Sequence, residues 1–140
     1  MGNRAVITTN QRRMCDMNSI YLHWNGGRDS IEAFLQYAKL RGLKNPNNEE
    51  TMQELYRIIK NFLGNSCIYD KYSRLDTDNY DNGVYVINSD FEIIDRLFFD
   101  GIEQDTYDIV EMMLAINEAQ GVDVEKIQHF RMHNRLERSE

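Results

Sequence analysis

Apolar and polar positions follow two different rhythms along this chain. Residues 4–9 (RAVITT) and 19–24 (SIYLHW) are rich in β-branched and aromatic side chains, which predicts two short strands. The polar stretch 10–18 suits a turn or hairpin loop, so the two strands are expected to pair antiparallel. Asn25, Gly26 and Gly27 break the second strand. The rhythm then changes: Ile31, Phe34, Leu35 and Ala38 recur at helical spacing. Asp29 as N-cap, with Glu32 three residues on, forms a near capping box, and Gly42 suits the position just past the helix end. A second helix is predicted from Asn48, with Met52, Leu55, Ile59, Phe62 and Leu63 on its apolar face and Gly64 at its end. The short connection favours a helical hairpin packed on one face of a sheet.

Residues 67–70 (CIYD) read as another short strand. Residues 82–88 (NGVYVIN) and 91–99 (FEIIDRLFF) read as a β-hairpin turning at Ser89 and Asp90. Val84 and Val86 should face one side, Tyr85 and Ile87 the other. Residues 106–120 are predicted helical from the stripe Ile109, Val110, Met113 and Ile116, capped by Asp105 and stopped by Gly121. Asp123 caps a last predicted helix carrying Val124, Ile127 and Phe130, and a charged tail from about residue 134 is expected to fray. The order is β-β-α-α-β-β-β-α-α. Sequential strands joined by hairpins predict an α+β fold: an antiparallel sheet of about four to five short strands with helices packed on one face. One proline, no linker-like stretch and no repeat in 140 residues predict a single domain, long enough to bury a core.

Charge adds a functional dimension. Sixteen Lys and Arg stand against 23 Asp and Glu, a net charge of −7. That balance argues against direct nucleic-acid binding, which needs cationic side chains to displace counterions. The excess is local. Residues 1–46 hold seven basic and three acidic side chains, residues 47–125 five and eighteen, and residues 126–140 four and two. Acids are densest between Asp70 and Glu111, including Asp76, Asp78, Asp81, Asp90, Glu92 and Asp95. Sharing a face with Tyr72, Tyr80 and Tyr85, they would make a contact surface for a basic partner. The plainer alternative is a solvated face that aids solubility. No apolar run reaches the roughly 18 residues of a membrane helix, and none near the start resembles a secretory signal. The opening Met1-Gly2 lacks the Ser or Thr that myristoylation expects, since position 6 is Val6. Cys15 and Cys67 are too few for a disulfide scaffold, so a cytoplasmic protein with reduced thiols is expected.

Candidate chemistry is sparse. Asn25, Gly26, Gly27 and Arg28 lie between a strand and a helix. Such a turn can present backbone N–H groups to a phosphate, with Arg28 adding a fork of donors. The spacing is that of neither a P-loop nor a Rossmann turn, and Asp29 places a carboxylate where an anion would sit. The alternative is a structural glycine turn with Trp24 in the core. Residues 76–83 resemble a calcium loop, but aligning Gly83 to loop position 6 puts Tyr80 at position 3 and Ser89 at position 12, and the match fails. His129 and His133 are four apart on a predicted helix, a spacing that suits a shared metal, but HExxH is absent and Arg131 lies between them. Cys67 with His23 lacks any spacing that marks a nucleophile and its base, and a buried thiol is the commoner role. No catalytic residues, no metal and no cofactor are assigned.

Three segments carry a resemblance: residues 1–8 (MGNRAVIT), 21–35 (YLHWNGGRDSIEAFL) and 81–87 (DNGVYVI). Together they resemble small acidic proteins encoded on phages and integrative elements of Gram-positive bacteria. Such proteins share the Met-Gly-Asn-Arg start, the His-Trp-Asn-Gly-Gly-Arg-Asp core and the Asp-Asn-Gly turn. The resemblance implies a setting rather than a mechanism, and carries over no catalytic residue. Small proteins of mobile elements often block host defence, including CRISPR nucleases and restriction enzymes, and many act by occupying a basic, nucleic-acid-binding surface. The resulting expectation is a non-enzymatic anti-CRISPR inhibitor. It would bind a host defence protein such as Cas9 through Asp76, Asp78, Asp81, Asp90, Glu92, Asp95, Tyr72 and Tyr80. The alternatives are a nucleotide- or signal-binding module built on Asn25, Gly26, Gly27 and Arg28, and a metal-binding structural domain.

Overall fold

A computed structural model describes residues 2–10 and 14–121. The predicted last helix, the tail from about residue 134, and both His129 and His133 lie outside the described residues.

Among the described residues five strands form one sheet: β1 (Ala5–Thr9), β2 (Asn18–Leu22), β3 (Cys67–Lys71), β4 (Val84–Ile87) and β5 (Ile93–Leu97). Their spatial order is β3-β2-β1-β4-β5. β1 and β2 pair antiparallel, with Ala5 opposite Leu22 and Ile7 opposite Ile20. β2 with β3 and β4 with β5 are also antiparallel. The central pair departs from the expected pattern, because β1 and β4 run parallel, with Val6 opposite Val84 and Thr9 opposite Ile87. The cause is the route between β3 and β4. The chain leaves the β3 edge, passes two strands and inserts β4 beside β1, so these consecutive strands are not a hairpin. β1 is buried along its whole length, as expected of a strand covered on both faces.

Helices α1 (Arg28–Leu40), α2 (Glu49–Leu63) and α3 (Ile109–Ala119) cover one face. Ile31, Phe34, Leu35 and Ala38 of α1 and Met52, Leu55, Ile58 and Ile59 of α2 pack with Met113 and Ile116 of α3. Beneath them lie Ile7, Ile20, Leu22, Tyr85 and Ile87 from the sheet. Each fully buried aliphatic or aromatic side chain contributes about 2 kcal/mol of transfer free energy. The opposite face holds a smaller cluster of Val6, Val84 and Val86, capped by Tyr72 with Tyr21, Leu75 and Leu97. The alternation of Val84 and Val86 against Tyr85 and Ile87 thus divides as the period of two predicts.

Several local expectations shift. The N-cap of α1 is Gly27, and Asp29 lies inside the first turn. α2, by contrast, starts where predicted: its N-cap is Asn48, whose side chain accepts from the Glu50 amide at 2.9 Å. α3 begins at Ile109 behind the cap Asp108, three residues later than a cap at Asp105 would require. The amides of Thr106 and Tyr107 donate instead to the Asp29 carboxylate, at 2.8 and 2.9 Å, which keeps that stretch out of the helix. The last strand is shorter than its apolar run, because Phe91 and Phe98 have positive φ, 61° and 56°, on either side of it.

Candidate interaction surface

The three segments that carry the resemblance meet at one end of the sheet. The Asn3 amide donates to the His23 carbonyl, and the Gly26 amide donates to the Asn3 carbonyl, both at 2.8 Å. The Asn82 side chain donates to Asn3 Oδ1 at 2.6 Å. Arg4 donates from its amide and its Nε to Asp81 Oδ2, at 3.0 and 2.7 Å. Burial alone would raise the Asp81 carboxyl; the Arg4 side-chain and backbone hydrogen bonds outweigh it and hold Asp81 below its ordinary value. Tyr85 donates its hydroxyl to the Gly26 carbonyl at 2.7 Å, closing the junction from beneath.

This junction fixes two neighbouring loops. In residues 76–83 the buried Asn79 acts as a spindle. Its Nδ2 donates to the carbonyls of Asp76 and Gly83, and its Oδ1 accepts the amides of Asp81 and Gly83. Tyr80, the next residue, is 90% exposed at φ 63°. In the second loop, residues 98–108, Phe98 is 55% exposed at φ 56°. Gly83 joins the two loops. A Cβ placed there would lie 2.1 Å from the Leu97 carbonyl oxygen and 2.5 Å from that of Phe98.

Below Phe98 the guanidinium of Arg96 lies between two rings, 3.7 Å from the Tyr85 centroid and 4.0 Å from that of Phe99. It pairs with Glu103, which also takes Arg28 at 3.0 Å. Burial alone would raise the Glu103 carboxyl; hydrogen bonds from Arg96 and Arg28 outweigh it and hold it below its ordinary value. Phe99 also lines an open groove of 620 Å³, together with Asp78, Tyr80, Asp81, Phe98 and Asp100.

The acidic residues expected to form one surface are divided. Asp76, Asp78 and Tyr80 share the first loop with Asp81, and Arg4 engages Asp81 at 2.7 Å and, more distantly, Asp76 at 3.9 Å. Asp90 and Glu92 occupy the β4–β5 turn, at the far end of a strand about 10 Å long. Asp95 is exposed on the edge strand β5. Tyr72 is 8% exposed and packs on Val6, Val84 and Val86, so it serves the smaller core rather than a contact surface. Tyr85 is likewise buried in the larger core. Phe98 and Asp100 join the site although Phe98 reads in sequence as strand interior. The signal for it is Asp100-Gly101 directly after the Phe98-Phe99 pair, a turn dipeptide that ends the strand.

The Asn25-Gly26-Gly27-Arg28 turn is occupied by the chain itself. Gly26 and Gly27 are buried, and Cβ atoms there would run into the Asn3 carbonyl and the Gln104 side chain. The Asp29 amide donates to the Gln104 carbonyl at 3.2 Å, and the Ser30 amide to Asp29 Oδ1 at 2.7 Å. Arg28 pairs with Glu103 and Glu32. Trp24, expected in the core, is 44% exposed and meets His23 edge-on. Burial pushes the Cys67 thiol up to about 12, so it stays protonated at neutral pH. Among the described residues, no three His, Cys, Asp or Glu side chains are grouped to hold a metal ion, and no helix is long and apolar enough to cross a membrane. In comparisons with family models, curated proteins and solved structures, none matches this chain.

Proposed function

We propose that the chain is a non-enzymatic protein-binding module that docks, through the loops 76–83 and 98–102, onto a basic surface of a nucleic-acid-binding host protein. One observation carries this reading. Tyr80 and Phe98 are held in the left-handed region and exposed beside Asp78 and Asp100. A bulky residue at positive φ costs about 1–2 kcal/mol, a strain that persists only when surrounding structure imposes it. Exposed rigid aromatics are the residue type that anchors protein interfaces, and flanking carboxylates steer a cationic partner. The resemblance to proteins of phages and integrative elements supplies the setting. It favours the cytoplasm of a bacterial host, an anti-CRISPR role, and a CRISPR nuclease such as Cas9 as the partner.

The test is a pull-down with the tagged chain from a Gram-positive lysate containing Cas9, at low and high salt, beside a Tyr80→Ala/Phe98→Ala variant. Salt-sensitive retention of the nuclease by the parent chain, lost in the variant, is the expected result. Equal retention by both chains refutes this surface, and failure to retain the nuclease at any salt refutes the partner.

A further inference from the structure

We infer that the groove between Tyr80 and Phe98 takes an arginine side chain of the partner, read by ring stacking and carboxylate pairing rather than by charge alone. The inference rests on the docking function proposed above and names the group that seats there.

The argument begins with chemistry the chain already uses next door. Arg96 lies between the rings of Tyr85 and Phe99 with its charge met by Glu103. The outer groove repeats the same parts. Phe99 lines it as well as stacking on Arg96, Tyr80 and Phe98 add exposed rings, and Asp78 and Asp100 add carboxylates. The inner set holds its cation; of the three carboxylates that line the outer groove, Asp81 is taken by Arg4, while Asp78 and Asp100 are not. Among the described residues no Lys or Arg nitrogen lies within ion-pair distance of Asp78 or Asp100, whereas Asp81 and Glu103 are both paired. Nor does any described cation stack on Tyr80 or Phe98. Complementarity therefore calls for a positive group from beyond the described residues, and the basic partner of the docking function supplies one. A planar guanidinium stacks on an aromatic face while its N–H fork meets carboxylates; an ammonium is more strongly hydrated and lacks the flat face. The spindle at Asn79 and the close approach at Gly83 hold the two loops in place before any partner arrives, which lowers the ordering cost of binding.

Hexa-arginine and hexa-lysine peptides are titrated into the full chain and followed by amide and aromatic NMR shifts. Hexa-arginine should bind about tenfold more tightly than hexa-lysine. The shifts should centre on residues 78–81 and 98–101, and Tyr80→Leu or Phe98→Leu should remove the preference. Both residues are exposed, so the spectra of the variants also report that the fold survives. Equal binding of the two peptides overturns the arginine assignment while leaving an acidic docking surface in place. An arginine preference that survives both leucine variants, or shifts centred on Asp90 and Glu92, places the arginine elsewhere and overturns it too. Failure of both peptides to bind also overturns the assignment, whereas the pull-down independently judges the docking function.

Discussion

Replacing Gly83 with alanine tests whether the two loops are locked together as described. Gly83 has φ 62°, its amide donates to Asn79 Oδ1 at 3.0 Å, and its carbonyl accepts from the Val6 amide at 2.9 Å. A left-handed alanine costs about 1–2 kcal/mol. The new Cβ would also sit 2.1 Å from one backbone oxygen and 2.5 Å from the next, where no flexible side-chain end can yield. Overpacking of that kind costs about 1–3 kcal/mol, so the total is about 2–5 kcal/mol. Gly42 is the internal control. It follows α1 at φ 91°, and an added methyl would meet nothing within 4 Å, so Gly42→Ala should cost only the conformational part, about 1–2 kcal/mol. Urea unfolding followed by circular dichroism separates the two. With a slope of about 1.5 kcal/mol/M, Gly83→Ala should lower the midpoint by roughly 1–3 M, and Gly42→Ala by only about 1 M. Equal losses would refute the close approach, and with it the claim that Gly83 seats Phe98 beside Tyr80.

Three further outcomes follow from the same contacts. Asn79→Ala removes acceptors for two amides and leaves the buried Gly83 N–H without a partner; it should cost about 1–3 kcal/mol by urea unfolding. Asp29→Ala frees the amides of Thr106 and Tyr107, so hydrogen exchange at those two positions should accelerate while the sheet amides stay protected. Glu103 and Asp81 are held below their ordinary values, so the stability they contribute is present above the unfolded carboxyl range and is lost as pH falls through their folded values. Acid unfolding should thus set in below about pH 4, and Glu103→Gln should show a shallower loss over that window in a pH series of thermal melts.

What local pattern can reveal, and what it cannot, divides along physical lines. Ile31, Phe34, Leu35 and Ala38 announce a helix because its period is written in neighbouring residues, and Val84 to Ile87 announce a strand for the same reason. The parallel pairing of β1 with β4 is invisible at that level. It depends on where residues 72–83 carry the chain, and no α-helix marks that stretch as a crossover. Asp29 looks like a helix cap because capping is a short-range rule, yet its partners Thr106 and Tyr107 are 77 and 78 residues away. The concentration of acid is plain in the sequence, but its division among a loop, a hairpin turn and an edge strand is not. Tyrosines are ambiguous for a similar reason, since Tyr72 and Tyr80 are alike in composition and opposite in exposure. Phe98 reads as strand because the apolar run continues through it; the backbone turns there where Gly83 lies against the strand end.

The central claim is that the Tyr80–Phe98 end, rather than the acid at large, makes the contact. The most direct test measures binding of the proposed partner, purified Cas9, to three chains: the parent, Tyr80→Ala/Phe98→Ala, and Asp90→Asn/Glu92→Gln. Loss of two exposed aromatic anchors at about 2 kcal/mol each predicts a weakening of at least about a hundredfold for the first variant, against a change within about threefold for the second. A weakening confined to the Asp90 and Glu92 variant would contradict the claim and place the contact on the β4–β5 turn.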